Sequence, residues 1–188
     1  MACATNAGMI GEMPCKRSHM EPTPILVAEI IDNLRRVFQV VNEQSKKVER
    51  ETGLTGPQLW AIKVIAEHAP IKVSELARRM YLHPATIVGI VDRLEKRGLV
   101  ERERCSKDRR VVHVGLTETG RRVVSTSPEV AQGLLVKGLE VLPDSELRTI
   151  AGGFEQMVRI LGAQEIPPHL ILSPEVNLPR NRPLAGPK

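Results

Sequence analysis

Aromatic side chains are scarce in this chain, which has one Trp, one Tyr and two Phe among 188 residues. Leu, Ile and Val are plentiful by contrast, and this balance favours a helical, aliphatic core over a β-sandwich. No apolar run reaches the ~18 residues that a helix needs to cross a bilayer. Residues 1–24 also lack the basic-then-apolar order of a signal peptide. We therefore expect one domain with tails, in the cytoplasm and away from membranes.

Cysteine is rare as well, and the three cysteines show no metal-like spacing. Their odd number argues against a disulfide framework, so reduced thiols are expected. Cys105 lies near Arg104 and Lys107, a setting that favours a reactive thiolate. A thiol sensor is one interpretation of Cys105, and a small residue at the end of a strand is the simpler one.

Motifs that would indicate a metal site or an enzyme are missing too. His68, His83 and His113 include no pair spaced i,i+3 or i,i+4, and no cluster of carboxylates joins them, so we expect no metal and no other cofactor. Neither a Gly-rich phosphate loop nor a nucleophile elbow occurs. We therefore expect a protein that is not an enzyme.

Positive charge is present, and it is concentrated in one segment. Residues 71–122 hold 13 Lys and Arg against 7 Asp and Glu, whereas the rest of the chain holds 14 against 15. Most charge runs are only solvated surface. Segregation of this kind, however, is typical of proteins that bind a polyanion such as DNA.

Apolar periodicity and capping residues predict the helices of the N-terminal half. Residues 25–50 carry one apolar stripe and form the first helix. A second helix starts at Thr55, which forms a capping box with Gln58, and it stops at Pro70. The residues that this helix is expected to bury are Leu59, Ile62, Val64 or Ile65, and Ala66.

Two short helices follow, separated by a tight connection. The first starts at Ser74, a good N-cap. The second runs from Pro84 to Arg97, because Pro suits the first helical position and Gly98 suits the position after the end. Its buried face is expected to contain Ile87, Ile90 or Val91, and Leu94.

The C-terminal half begins with two alternating strands, LVERERC and RVVHVGL, on either side of a charged turn at residues 106–110. Thr117 is expected to cap a helix that continues to about Leu139. A last helix with one apolar face is expected over residues 145–161. Residues 163–188 are rich in Pro, which excludes a regular helix, and we expect a tail there.

This order of elements predicts a mainly α-helical fold with a small β-hairpin wing, namely a winged helix-turn-helix over residues 54–120. In such a fold the second short helix enters the major groove, and the hairpin tip reaches the adjacent minor groove, whose negative potential favours Arg. Asp108 is expected to brace Arg110 through an ion pair. Candidate DNA contacts are Ser74, His83, Ala85, Thr86, Val88, Gly89, Arg93 and Lys96 in the helix-turn-helix, and Lys107, Asp108, Arg109 and Arg110 in the wing.

Five segments in this order resemble the MarR family of transcriptional regulators: LT..Q, SELARRM, PATIVGIVDRLEKRGLVER, DRR and LTETG, together spanning residues 54–120. The resemblance implies a MarR-type domain over residues 25–162. It also implies a homodimer in which helices over residues 25–50 and 120–162 interdigitate. The family's Asp-x-Arg wing pattern falls on Asp108 and Arg110, and Thr86 and Val88 align with recognition-helix contacts.

What the resemblance implies for function is a repressor that binds a palindromic double-stranded DNA operator as a dimer. A small molecule, such as an aromatic acid, or a redox signal would release it. Phe38, Trp60 and His68 are candidate ligand-lining residues, although all three are also ordinary core residues. Residues 88–90 are apolar where the family commonly carries polar or basic residues, so shape and phosphate contacts are expected to share the specificity. The alternative function is a winged helix that binds only proteins.

Overall fold

The computed structural model describes residues 24–104 and 112–170. Within these ranges it contains seven α-helices and three β-strands: α1 (Pro24–Thr52), α2 (Gly56–His68), β1 (Ile71–Lys72), α3 (Val73–Arg79), α4 (Pro84–Lys96), β2 (Val100–Arg104), β3 (Val112–Leu116), α5 (Glu118–Thr126), α6 (Ala131–Glu140) and α7 (Asp144–Ile160). Internal contacts divide the chain within α1, into Met1–Arg35 and Arg36–Lys188. The mainly helical fold with a small β-sheet confirms the predicted fold class.

Helix ends follow the capping and punctuating residues. Before α2, the Thr55 N–H donates to Gln58 Oε1 at 3.3 Å, as expected for a capping box. Helix α4 begins at Pro84, and Gly98 follows its C-cap with a φ of +66°. A φ in this left-handed region is reached at little cost only by Gly. These local signals explain why the start and end of α4 were predictable.

Two details of the predicted helices are wrong. Ala66 is exposed rather than buried, because the last turn of α2 borders an open cavity. Ser74 is not an N-cap: the cap is Lys72, and Ser74 lies exposed within the first turn of α3. The cause is β1, whose two residues lead directly into α3 and move the start of the helix upstream.

The helix predicted to continue from Thr117 to about Leu139 is also divided. Thr117 caps α5 as expected, since its Oγ1 accepts from the Gly120 N–H at 3.0 Å. However, α5 ends at Thr126, and Ser127 is extended with φ −83° and ψ 148°. A residue that precedes Pro is driven out of the helical region, so Pro128 interrupts the helix.

The three strands form an antiparallel sheet in the order β1–β3–β2. Arg104 pairs with Val112 at the end of β2, so the hairpin opens there toward residues 105–111. Strand β1 was not predicted because two residues give no alternation to detect. It pairs Ile71 with Val114 and joins the hairpin to the start of α3.

One core cluster lies under the helix-turn-helix and the sheet. It includes residues of α2, α3 and α4 together with Val114 and Leu116 of β3. Leu170, which falls in the segment expected to be a tail, is buried in this same cluster. Among residues 24–104 and 112–170, no helix combines the length and the apolar character needed to span a bilayer.

Candidate nucleic-acid interface

The turn between α3 and α4 is fixed from below by the core. Leu76, Met80 and Leu82 are buried. The Met80 N–H donates to Leu76 O at 3.0 Å, and the Leu82 N–H donates to Ala77 O at 3.0 Å. Because both turn residues on either side of Tyr81 are anchored in this way, the first turn of α4 is held at a defined place.

Helix α4 turns one row of side chains into the core and leaves the opposite row uncovered. Ile87, Ile90, Val91 and Leu94 are fully buried, so both Ile90 and Val91 belong to the inner face. Thr86 is buried too, with 7% of its surface exposed. The prediction that Thr86 lies on the outer face is therefore wrong. Residues four apart lie on the same side of a helix, and Thr86 shares its row with Ile90 and Leu94.

The outer face of α4 is small and apolar in its first half and basic in its second half. Ala85 and Val88 are exposed, and the space beside Gly89 is open, since a Cβ there would meet no atom within 4 Å. Arg93 and Lys96 are exposed further along. An exposed helical face of this kind can enter a major groove, with backbone approach at Gly89 and phosphate contacts from the basic end.

His83 caps the helix that it precedes. Its Nδ1 accepts a hydrogen bond from the Ala85 N–H at 3.2 Å, which satisfies one of the first backbone donors of α4. The ring is half-buried at this position. His83 therefore lies at the N-terminus of α4, which confirms the prediction that it lies in the turn. Its predicted contact with a phosphate stays a prediction.

Strand β2 is tied to α4 by a charged cluster that the sequence analysis missed. Arg102 donates from Nη2 to Asp92 Oδ1 at 2.5 Å and from Nη1 to Glu95 Oε2 at 2.7 Å. Only 26% of the Arg102 side chain is exposed. Asp92 and Glu95 are one turn apart, so one guanidinium can bridge both. The cluster offsets part of the negative charge of these two carboxylates and fixes the base of the wing against α4.

Some of the positive charge in this segment is neutralised within the protein. Glu75 of α3 accepts from Arg78 at 2.6 and 2.9 Å and pairs with Arg79 at 2.8 Å. The hydrogen bond from Arg78 lowers the pKa of Glu75 from its usual value to about 2. Arg97 donates to Gly53 O at 2.6 Å. Arg78 and Arg79 are thus paired within α3, and Arg97 is tied to the residue that follows α1. Arg93 and Lys96 are exposed basic residues of α4.

The wing tip itself lies outside the described residues. This applies to Lys107, Asp108, Arg109 and Arg110, and also to Cys105 at the base of the turn. Their predicted roles in minor-groove binding, in bracing Arg110 and in redox sensing therefore stay predictions. The described part of the hairpin leads to this segment from strands whose pairing is continuous to Arg104 and Val112.

The three candidate ligand residues do not meet in one site. Trp60 is buried and borders a cavity of about 220 Å³ between α2 and α6. His68 lines a different pocket, and its Nε2 lies 2.9 Å from Arg79 Nη1. Phe38 is exposed on α1 and lines neither cavity. The shared lining expected for these residues is wrong, because aromatic character alone does not reveal which helices pack together.

An apolar groove occurs that no sequence pattern indicated. It has a volume of about 450 Å³ and lies between the second half of α1 and α6. The residues that line it are Arg36, Val37, Val40, Val41, Gln44, Ala131, Leu134, Leu135, Gly138 and Leu139.

As for metals, no group of three or more His, Cys, Asp or Glu residues comes together within the described ranges.

The helix-turn-helix, the β1–β3–β2 sheet and the outward face of α4 together define a winged-helix protein. Comparison with known proteins agrees with this geometry. Residues 54–112 match the model of the MarR family. The HTH-type transcriptional repressor MdtR of Bacillus subtilis is 33% identical over 101 residues, which cover 54% of this chain and 65% of MdtR. The HTH-type transcriptional regulator YsmB of the same organism is 29% identical over 121 residues, covering 64% of this chain and 83% of YsmB.

Among solved structures, Streptococcus pneumoniae FabT in complex with DNA shares the fold. Its TM-score is 0.50 with 22% identity, and the match covers 72% of this chain and 97% of FabT. The chain is thus similar to members of the MarR family over its winged-helix residues, where the five sequence segments predicted the resemblance.

Proposed function

We propose that this protein is a transcriptional regulator that binds double-stranded DNA through α4 and the wing. The observation that carries the proposal is the two-sided character of α4. One row of its side chains is fully buried, which fixes the helix, while Val88, Arg93 and Lys96 face solvent. The Arg102 cluster attaches the base of the basic wing to the same helix. The relatives MdtR and FabT, a repressor and a protein solved with DNA, support the same function.

The proposed active form is a homodimer. Helix α7 has no buried residue, and its apolar side chains Ile150, Phe154 and Val158 are exposed. Helix α1 likewise exposes Ile30, Val37 and other apolar residues. Exposed apolar faces of this extent mark interaction surfaces. A second copy of the chain would cover them and would present two α4 helices to half-sites about one helical turn apart, roughly 10 bp, in a palindromic operator.

Release from DNA by a small apolar effector is the regulatory part of the proposal. The groove between α1 and α6 supports it, because a cavity of about 450 Å³ lined by Val and Leu suits an aromatic acid better than a polar ligand. Arg36 contributes a positively charged side chain to this lining. On this basis the protein acts as a repressor whose effector shifts the dimer away from the half-site spacing that DNA requires.

The experiment that tests the function uses fluorescence anisotropy on duplexes from the region upstream of the protein's own gene. We expect one duplex to bind tightly, with two chains per site, and a scrambled duplex of equal length and composition to bind at least 1000-fold more weakly, roughly the lower limit for specific binding. Equal affinity for all duplexes, with a dimer confirmed by light scattering, would favour the alternative of a winged helix that binds only proteins.

A further inference from the structure

Tyr81, at the turn between α3 and α4, has a backbone conformation that few residues adopt. Its φ is +54°, and among the described residues no other residue except Gly has a positive φ. This region is uncommon for residues with a side chain, and helix-turn-helix turns often contain Gly for that reason. The chain therefore accepts a strained conformation at a position where Gly would be relaxed. A function of the Tyr81 side chain would explain why Tyr stands there.

The side chain of Tyr81 makes one long-range hydrogen bond. Its hydroxyl donates to Glu140 Oε1 at 2.7 Å, across 59 residues of sequence. Glu140 is the last residue of α6, directly before the connection to α7. The same hydrogen bond raises the pKa of the Tyr81 hydroxyl, so the phenol stays protonated and able to donate up to a higher pH than an ordinary tyrosine. The turn that precedes the proposed recognition helix is thus joined to the corner between α6 and α7.

Two further contacts of α6 with the winged-helix segment reach α2. Gly133 lies against the Trp60 ring, so closely that a Cβ would come within 3.2 Å of it. Lys137 Nζ lies 3.3 Å from Glu67 Oε1. Residues 133, 137 and 140 are spaced i, i+4 and i+7, so they share one face of α6. The first two contacts fix α6 on α2, and the third extends the same face to the turn before α4.

We propose that Tyr81 is a positioning residue that couples the orientation of α4 to the corner between α6 and α7. A displacement of this corner, whether by dimer rearrangement or by a ligand in the groove beside α6, pulls on the turn and moves the first turn of α4. Loss of the link leaves the turn held by its core contacts alone, so that the first turn of α4 samples a wider range of orientations, and narrowing this range on DNA costs affinity. The inference rests on the proposed DNA-binding function, which the hydrogen bond between Tyr81 and Glu140 would regulate.

The test compares Tyr81→Phe, Glu140→Ala, Glu140→Gln and the double variant Tyr81→Phe/Glu140→Ala in the full-length protein. We expect Tyr81→Phe and Glu140→Ala each to weaken binding to the specific duplex about 3- to 10-fold, because each removes the same exposed hydrogen bond. The double variant should be no weaker than either single one, as expected for two partners of one interaction. Glu140→Gln keeps an acceptor oxygen and should retain most of the affinity. The control Glu155→Ala breaks an exposed pair with Arg159 within α7 and should have no effect.

A second readout keeps this inference separate from the proposed function. Amide hydrogen exchange at Leu82, Thr86 and Ile87, whose N–H groups are hydrogen-bonded in the turn and the first turn of α4, should accelerate in Tyr81→Phe and not in Glu155→Ala. If the wild type binds no duplex specifically, the proposed function fails, while faster exchange still supports the positioning contact. Unchanged exchange in Tyr81→Phe, or additive losses of DNA affinity in the double variant, would overturn the inference.

Discussion

Helices α2 and α7 differ sharply in how they meet the rest of the chain. Nine of the 13 residues of α2 are buried, from Gly56 to Ile65, whereas none of the 17 residues of α7 is buried although one of its faces is apolar. The winged-helix segment around α2 therefore satisfies its apolar surface within one chain. The apolar face of α7 has no such cover. The difference separates a segment that folds on itself from one whose apolar face is suited to a second copy of the chain.

The largest effect is expected from a substitution in the apolar face of α7. Phe154→Asp places a carboxylate in the centre of the apolar face, where the Phe154 side chain is 55% exposed. Burying an unpaired charge in a dimer interface costs several kcal/mol. We therefore expect the dissociation constant of the dimer to rise at least about 100-fold. Sedimentation velocity over a range of protein concentrations measures it. Gln156→Asp, with the same new charge on the opposite side of α7, should leave the dimer intact; equal dissociation of both variants would argue against this interface.

A matched pair of glycines sharpens the comparison through stability. Gly120 packs so closely that a Cβ would lie 2.0 Å from Leu99 O, whereas a Cβ at Gly152 of α7 would meet nothing within 4 Å. We expect Gly120→Ala to lower the free energy of unfolding by about 1–3 kcal/mol or more, because backbone has to shift. Gly152→Ala should raise it by about 0.5–1 kcal/mol, because Ala favours a helix. Urea denaturation at one protein concentration tests both, and the same sign for the two variants would contradict the structure.

The smallest expected effects come from removing two arginines that form ion pairs. Arg102→Ala removes the cluster with Asp92 and Glu95, in which the Arg102 side chain is 26% exposed. We expect a loss of stability of about 1 kcal/mol, at the upper end for surface pairs, and weaker DNA binding because the wing base is released. Arg148→Ala breaks an exposed pair with Asp144 in α7 and should cost about 0.3–0.5 kcal/mol with no change in DNA affinity. If Arg102→Ala binds DNA like the wild type, the cluster does not position the wing.

Local chemistry explains which parts of the fold were predictable from sequence. Pro84 marks the start of α4 and Gly98 marks its end, because each has a backbone preference that acts at that residue alone. The same holds for Thr117, whose hydroxyl caps α5. The early end of α5 followed from Pro128, but a continuing apolar pattern obscured that signal.

Features that depend on distant segments were not predictable. The inner position of Thr86 is set by how deeply α4 enters the core, and a polar residue at the edge of an apolar stripe can lie on either side. Asp92 and Glu95, one turn apart on α4, could have indicated that a basic residue bridges them. That this residue is Arg102 depends on the register of β2 in the sheet. The contact between Tyr81 and Glu140 spans 59 residues and left no local pattern. The sequence thus predicted which kinds of residue belong to the candidate site. The contacts that these residues make could be found only from the structure.

The most direct test of the account is a salt titration of DNA binding with wild type, Arg110→Ala and Arg148→Ala on the specific duplex. The proposed function assigns DNA contact to the winged-helix segment and not to α7. It predicts that log Kobs falls linearly with log salt concentration, and that Arg110→Ala reduces this slope by about one unit. Arg148→Ala should match the wild type in slope and affinity. An unchanged slope in Arg110→Ala, or an equal reduction in Arg148→Ala, would contradict the assignment of the wing to DNA.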